Sequence, residues 1–131
     1  MGLTINKRSC FCRIFFFVHL ILQNQIEMIS VKVSYTVKPE FVEQNKRNIA
    51  AFLADFKKLT SLHFLYHVYL QADELTFLHI SMYESETVQQ QVLNVPSFLS
   101  FQQERGANHL TGDPQVEHLT AIGSSLSLIQ A

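Results

Sequence analysis

Residues 63–83, HFLYHVYLQADELTFLHISMY, contain two apolar stretches on either side of a short polar segment. This pattern predicts a β-hairpin with strands at residues 63–70 and 75–83, joined by a turn at residues 71–74. Pairing Leu70 with Leu75 sets which side chains share a face of the hairpin. One face then carries Phe64, Tyr66, Val68, Phe77, His79 and Ser81, and the other carries His63, Leu65, His67, Tyr69, Thr76, Leu78, Ile80 and Met82. Neither face is polar enough to be a plain water-facing surface, so we expect both to be covered.

The segment before the hairpin predicts a strand followed by a long helix. Residues 29–38 alternate between apolar and polar side chains, which is the period of a strand with one apolar face. Pro39 ends this strand and suits the first turn of a helix. Apolar residues then recur at helical spacing from Val42 to Leu59, with charged residues mostly on the other side.

The segment after the hairpin predicts two short helices and a last strand. Ser85 is a helix cap, Pro96 interrupts the helix that follows, and residues 97–105 form a further short helix. The last strand is QVEHLTAI at residues 115–122. The complete order, βαββαβ, predicts an α+β fold of the ferredoxin-like type, with a four-stranded antiparallel sheet.

Four segments of this chain resemble a known family. They are SVKVSYTVKPE, TFLH, NVPSFLSFQQERG and VEHLTAIGS, at residues 30–40, 76–79, 94–106 and 116–124. Over residues 29–124 the chain is similar to the small dimeric α/β-barrel proteins of the antibiotic-biosynthesis-monooxygenase type. The resemblance implies that two ferredoxin-like sheets pack face to face in a homodimer. It also implies a cofactor-independent monooxygenase of quinols or related phenols, which would bind a small aromatic molecule and dioxygen and need no cofactor.

The first residues of the chain differ in composition from the rest. We expect residues 1–28 to be a leader outside the fold, residues 29–124 to be the domain and residues 125–131 to be a tail. The apolar residues 14–22 are too few to span a bilayer, and no small-residue cleavage site follows them. Three explanations stay open: a true start at Met28, an export or anchoring segment, and a genuine extension. For the folded domain we expect a cytoplasmic location and no membrane contact.

Composition excludes several classes of function. A net charge of −1 without a run of Lys and Arg argues against nucleic-acid binding. Both cysteines, Cys10 and Cys12, lie in the leader, so the domain is no disulfide scaffold. The glycines form neither a Rossmann nor a Walker phosphate loop. His63 and His67 would lie about 13 Å apart on a strand, so no metal site is expected.

The candidate active-site residues are aromatic, basic or both. An oxygenase without a cofactor needs a base that removes a phenolic proton, and His79 is our candidate catalytic residue for that role. The alternative is a core histidine bonded to a neighbouring hydroxyl or carbonyl. Arg105 either anchors an anionic substrate oxygen or is a solvated arginine at a helix end. The expected substrate-binding residues are Tyr35, Phe64, Tyr66, Phe77 and Arg105, although strand tyrosines more often serve packing.

Two other functions remain open at this stage. The chain has no Trp, an aromatic that some oxygenases of this type are thought to use, and this weakens the enzyme hypothesis. One alternative is a non-catalytic barrel that binds a small ligand or is linked to stress. The other is a haem-binding barrel, with His67 or His79 as the axial ligand.

Overall fold

The computed structural model of the chain describes residues 28–126. The predicted leader, apart from Met28, and the end of the predicted tail lie outside these residues. The elements are β1 (Ile29–Thr36), α1 (Val42–Phe56), β2 (Phe64–Leu70), β3 (Thr76–Tyr83), α2 (Glu86–Leu93), α3 (Pro96–Gly106) and β4 (Gln115–Leu119), and a 3-10 turn at Pro39–Phe41 leads into α1. In this part of the chain, no helix combines the length and the apolar character that crossing a bilayer requires.

The four strands form one antiparallel sheet in the order β2-β3-β1-β4. With its three helices this is the ferredoxin-like α+β fold, and the sequence-based prediction of the fold class is confirmed. The predicted last strand was too long, because regular pairing with β1 ends at Leu119.

Local signals in the sequence set the helix boundaries. Pro39 occupies the first turn after β1, where its missing N–H leaves no hydrogen bond unmade. The Ser85 hydroxyl accepts a hydrogen bond from the backbone N–H of Val88 at 3.2 Å and caps α2. Pro96 opens α3 just after α2 ends. These three predictions are confirmed.

The hairpin has a different register from the predicted one. Leu70 pairs with Phe77 and not with Leu75, a shift of two residues. The turn is longer than predicted because the Asp73 carboxylate accepts hydrogen bonds from the backbone N–H groups of Leu75 and Thr76, at 2.9 and 2.8 Å. Glu74 takes a left-handed conformation within it, with φ of 60°. Since a shift of two preserves the alternation, every side chain stays on its predicted face.

The helices cover one face of the sheet, and the core lies between the helices and that face. This core is dominated by aromatic side chains, among them Tyr35, Phe52, Phe56, Phe77, Tyr83, Phe98 and Phe101. We call the opposite side of the sheet the open face. It carries Leu65, Leu78, Ile80 and Met82, all half-buried, and Tyr69, which is 54% exposed. Its apolar character agrees with the prediction that both faces of the hairpin are apolar.

Candidate active site

Four buried side chains on the helix side of the sheet form a chain of hydrogen bonds. His79 on β3 lies between two tyrosines: its Nε2 is 2.9 Å from the Tyr35 hydroxyl and its Nδ1 is 2.9 Å from the Tyr66 hydroxyl. Asn45 on α1 donates from Nδ2 to the Tyr35 hydroxyl at 3.0 Å. We call Asn45, Tyr35, His79 and Tyr66 the polar chain. Three strands and one helix each contribute one member, so its geometry depends on the whole domain.

Burial decides the protonation of the polar chain. His79 is 2% exposed, and burial, followed by the positive charge of Arg105, lowers its pKa to about 3. The ring is therefore neutral at neutral pH, with one nitrogen donating and the other accepting. Burial raises the pKa of Tyr35 to about 12, although the hydrogen bond from Asn45 and the charge of Arg105 oppose this effect. Burial also raises the pKa of Tyr66.

Arg105 brings a positive charge to the polar chain. It lies in the last turn of α3, and its guanidinium carbon is 4.7 Å from the centroid of the Tyr35 ring and 5.2 Å from that of Phe101. Among residues 28–126 no carboxylate forms an ion pair with Arg105. Its Nε is buried and, within the same residues, has no hydrogen-bond partner. Arg105 thus places a half-buried positive charge against the ring of Tyr35, and it does not line the groove described next.

A groove of about 320 Å³ lies between the C-terminal end of α1 and the edge strand β2. We call it the α1–β2 groove. Tyr66 lines this groove, whereas His79 does not. Tyr66 thus links the groove to the polar chain, through the hydrogen bond between its hydroxyl and His79. The apolar lining consists of Leu53, Phe56, Leu59, Leu62, Phe64 and Leu65, and the other polar lining residues are Lys57 and His67.

The structure brings most of the predicted site residues together. Tyr35, Tyr66 and His79 are hydrogen-bonded to one another, and Arg105 lies over the ring of Tyr35. The ring of Phe77 stacks on the ring of Tyr35, and the two ring centroids are 5.7 Å apart. Phe64 lies apart from this group. It stacks on Tyr83 at 6.4 Å and lines the α1–β2 groove.

Sequence reasoning missed Asn45, although a signal was present. Asn45 is a polar residue three positions after Val42 and four before Ile49, so it lies on the apolar stripe of α1. It is fully buried, and its Oδ1 has no hydrogen-bond partner among the described residues. A buried amide on an apolar stripe needs a polar neighbour, and here that neighbour is Tyr35.

Comparison with known proteins defines the class of fold. No protein-family model matches the sequence, and no curated protein matches it. Solved structures do match. A putative antibiotic biosynthesis monooxygenase from Caulobacter crescentus CB15 has a TM-score of 0.64 at 19% identity, covering 77% of this chain and 97% of that one. The protein Rv0793 from Mycobacterium tuberculosis has a TM-score of 0.65 at 16% identity, covering 76% of this chain and 100% of that one.

A third match bears a name that refers to chemistry. It is a mutant of SnoaB, a cofactor-independent oxygenase from Streptomyces nogalater, with a TM-score of 0.59 at 16% identity and coverage of 76% of this chain and 97% of that one. At such identities the likeness shows the fold alone. The chain therefore has the ferredoxin-like fold of the antibiotic-biosynthesis-monooxygenase type, and the resemblance inferred from the sequence is confirmed at that level.

Proposed function

We propose that the protein is a cofactor-independent monooxygenase of quinols or related phenols. The single observation that carries this proposal is the polar chain, which ends beside Arg105 at one side and at the α1–β2 groove on the other. A phenol must lose its proton before its ring becomes electron-rich enough to react with dioxygen. The substrate supplies all four electrons: one oxygen atom forms a C–O bond to the ring, the other leaves as water with two protons from the substrate, and the quinol becomes a hydroxylated quinone.

In this proposal the residues of the site take up the phenolic proton and stabilise the negative charge that its loss leaves on the substrate. A substrate hydroxyl in the groove gives its proton to the Tyr66 oxygen, while the Tyr66 proton passes to Nδ1 of His79. With a pKa of about 3 His79 is a weak base in the empty site, but a phenolate nearby would raise that pKa, since opposite charges favour each other. Arg105 does not line the groove, and its charge favours the same phenolate through space, from the far end of the polar chain. Asn45 holds the Tyr35 hydroxyl in place beside the ring of His79.

A second candidate function is non-catalytic binding of a small ligand. The observation in its favour is that both ring nitrogens of His79 are hydrogen-bonded and the side chain is buried, as expected of a histidine that only completes a core. Haem binding has less support. His79 would have to give up one of its hydrogen bonds to bind iron, and His67 lies exposed on the open face.

We also propose that the protein is a homodimer in which two open faces pack against each other. The support is the row of half-buried apolar side chains on this face, Leu65, Leu78, Ile80 and Met82, next to the exposed Tyr69. A sheet-on-sheet interface of this kind needs roughly 1,200 Å² or more to be stable.

The test of catalysis is oxygen consumption by the purified full chain with a panel of hydroquinones, with a chelator present and no cofactor added. Uptake of oxygen that depends on protein and quinol is expected. If no member of the panel is oxidised although binding is detected, the ligand-binding function is supported instead. A visible absorbance spectrum of the same sample tests for haem.

A further inference from the structure

We infer that the α1–β2 groove binds a small aromatic carboxylate, with its ring on the apolar lining and its carboxylate at Lys57. The inference deepens the proposed function, since it rests on the site at Tyr66, and it adds a chemical class of ligand to that site. Binding is measurable without turnover, so the two proposals can fail separately.

The lining of the groove favours an aromatic ligand. Six of its side chains are apolar, and Phe56 and Phe64 present aromatic rings whose centroids lie 5.8 Å apart in an edge-to-face arrangement. A flat ring gains both apolar contact and favourable geometry against such a pair. A volume of about 320 Å³ is at the lower end for ligand sites, so one or two fused rings fit better than a peptide or an acyl chain.

The charges of the groove favour an anion. Lys57 is among its lining residues, and neither Asp nor Glu is. Within residues 28–126 Lys57 forms no ion pair, whereas the next residue, Lys58, is 3.2 Å from the carboxylate of Asp55. The charge of Lys57 is thus uncompensated by any ion pair in this part of the chain, and Lys57 lies at the C-terminal end of α1. A carboxylate on the ring would complement it.

Tyr66 fixes which end of the ligand faces inward. Its hydroxyl bonds to buried His79, so a phenolic hydroxyl on the ligand can join the polar chain while the carboxylate stays with the exposed Lys57. The class of ligand is therefore a hydroxylated aromatic acid with its two polar groups at opposite ends of the ring system. Such a molecule also meets the requirement of a phenolic substrate.

The experiment uses two probes that differ in charge only, 6-hydroxy-2-naphthoic acid and its neutral amide, titrated into the full chain and followed by amide chemical shifts. The acid should bind about threefold more tightly than the amide at low salt, and high salt should remove the difference. Lys57→Gln should abolish the preference for the acid. Lys58→Gln is the matched control and should keep it, because Lys58 is already paired with Asp55. The shifted amides should cluster at α1 and β2.

Several outcomes would overturn the inference. They are equal affinity for acid and amide in the parent protein, equal effects of the two lysine substitutions, shifts confined to β1, β3 and β4, and no binding of either probe. Binding of the acid without any oxygen uptake would leave the groove assignment standing and contradict the oxygenase. Oxidation of neutral hydroquinones by a protein that does not prefer the acid would support the oxygenase and contradict the groove assignment.

Discussion

The two faces of the sheet are formed by the same strands but differ in how far their side chains are buried. On β3, Phe77, His79 and Tyr83 are at most 2% exposed, whereas Leu78 and Ile80, which alternate with them, are only half-buried. The difference comes from the helices, which cover one face and leave the other open. Apolar sequence alone therefore does not determine burial, because a second layer must be present to exclude water.

Polar groups also differ between the faces. The covered face holds the polar chain, whose four members are hydrogen-bonded to one another inside the domain, while the Asn45 Oδ1 has no partner among the described residues. On the open face Lys32 and Glu117 form an ion pair at 3.7 Å between side chains that water still reaches. Such an exposed pair contributes about 1 kcal/mol or less to the free energy of unfolding. A buried polar group that loses its hydrogen-bond partner lowers that free energy by more. Substitutions on the two faces should consequently have different costs and different kinds of effect.

The largest expected effect is on the covered face. Phe52 is fully buried among Phe56, Tyr66, Phe98 and Phe101, with ring centroids 4.9 to 5.6 Å away. Phe52→Ala should lower the free energy of unfolding by about 3–5 kcal/mol, because it leaves a cavity. Urea denaturation measures this. As a control, Leu99→Ala at a side chain 46% exposed should cost about 1 kcal/mol or less. Similar costs for both would contradict the packing described for the covered face.

The next effect concerns the open face. Leu78→Glu should weaken the proposed homodimer about 100-fold or more, because a two-fold interface would bury the new charge twice. Light scattering should report twice the chain mass for the parent protein at micromolar concentration and a monomer for the variant. Gln91→Glu, an exposed position on α2, adds the same charge and should stay dimeric. A parent that is monomeric with an unchanged fold would show that the open face tolerates water.

Substitutions of two histidines, one on each side of the sheet, should differ in their effect on turnover. His79→Ala should lower oxidation of a quinol substrate by about 100-fold or more, the scale for a lost general base, and leave dimerisation intact. His63→Ala, at an exposed histidine that does not line the α1–β2 groove, should have almost no effect on turnover. Tyr66→Phe keeps the ring but removes the hydrogen bond to His79, so it should also slow the reaction. If both histidine variants oxidise the quinol like the parent, His79 is structural.

Mild acid should destabilise the covered face through His79. Its pKa is lowered from 6.5 to about 3 on folding, so between these values the unfolded chain binds a proton that the folded chain does not. Neutral His79 makes its full contribution to the free energy of unfolding above pH 6.5. As the pH falls below 6.5, the free energy of unfolding decreases by about 1 kcal/mol per pH unit. Urea denaturation between pH 7 and 4.5 measures this slope. His79→Gln should flatten it, and an unchanged slope would show that other groups cause it.

The smallest expected effect is that of removing the leader. A chain beginning at Met28 should keep the thermal midpoint of the full chain, because the alternation of β1 begins at the next residue. Thermal unfolding followed by circular dichroism measures this. A clear loss of stability would mean that the leader packs on the domain, and its apolar residues would then be a candidate cover for the open face.

Much of the fold was predictable because the signals are local. The alternation in β1, the proline after it, the Ser85 cap and Pro96 each act within a few residues, and each sets a boundary. The hairpin register was not predictable from strand pattern alone. It depends on the Asp73 carboxylate, which closes the turn over Leu75 and Thr76 and so lengthens it.

The candidate site was predictable in part for the same reason. His79, Tyr35 and Tyr66 stood out as polar or amphipathic residues on apolar strands, and period-two alternation in the hairpin placed Tyr66 and His79 on one face. Only the register between β1 and β3 brings Tyr35 to the same face. Asn45 belongs to a helix, and no local rule states which strand side chain it will meet. Phe64 was placed correctly on that face but packs on Tyr83 at the start of the hairpin, because the corrected register pairs these two residues.

The sequence by itself determined the order of elements, the ferredoxin-like class and the two-faced apolar character of the hairpin, because these follow from periodicity and caps along a single segment. Only the tertiary structure decided that His79 lies buried between two tyrosines with a lowered pKa, and that Arg105 lies over one of them. It also decided that the α1–β2 groove reaches this chain through Tyr66 and not through His79. The physical reason is that burial and hydrogen-bond partners come from segments distant in sequence, here up to 44 residues apart for the Tyr35–His79 bond.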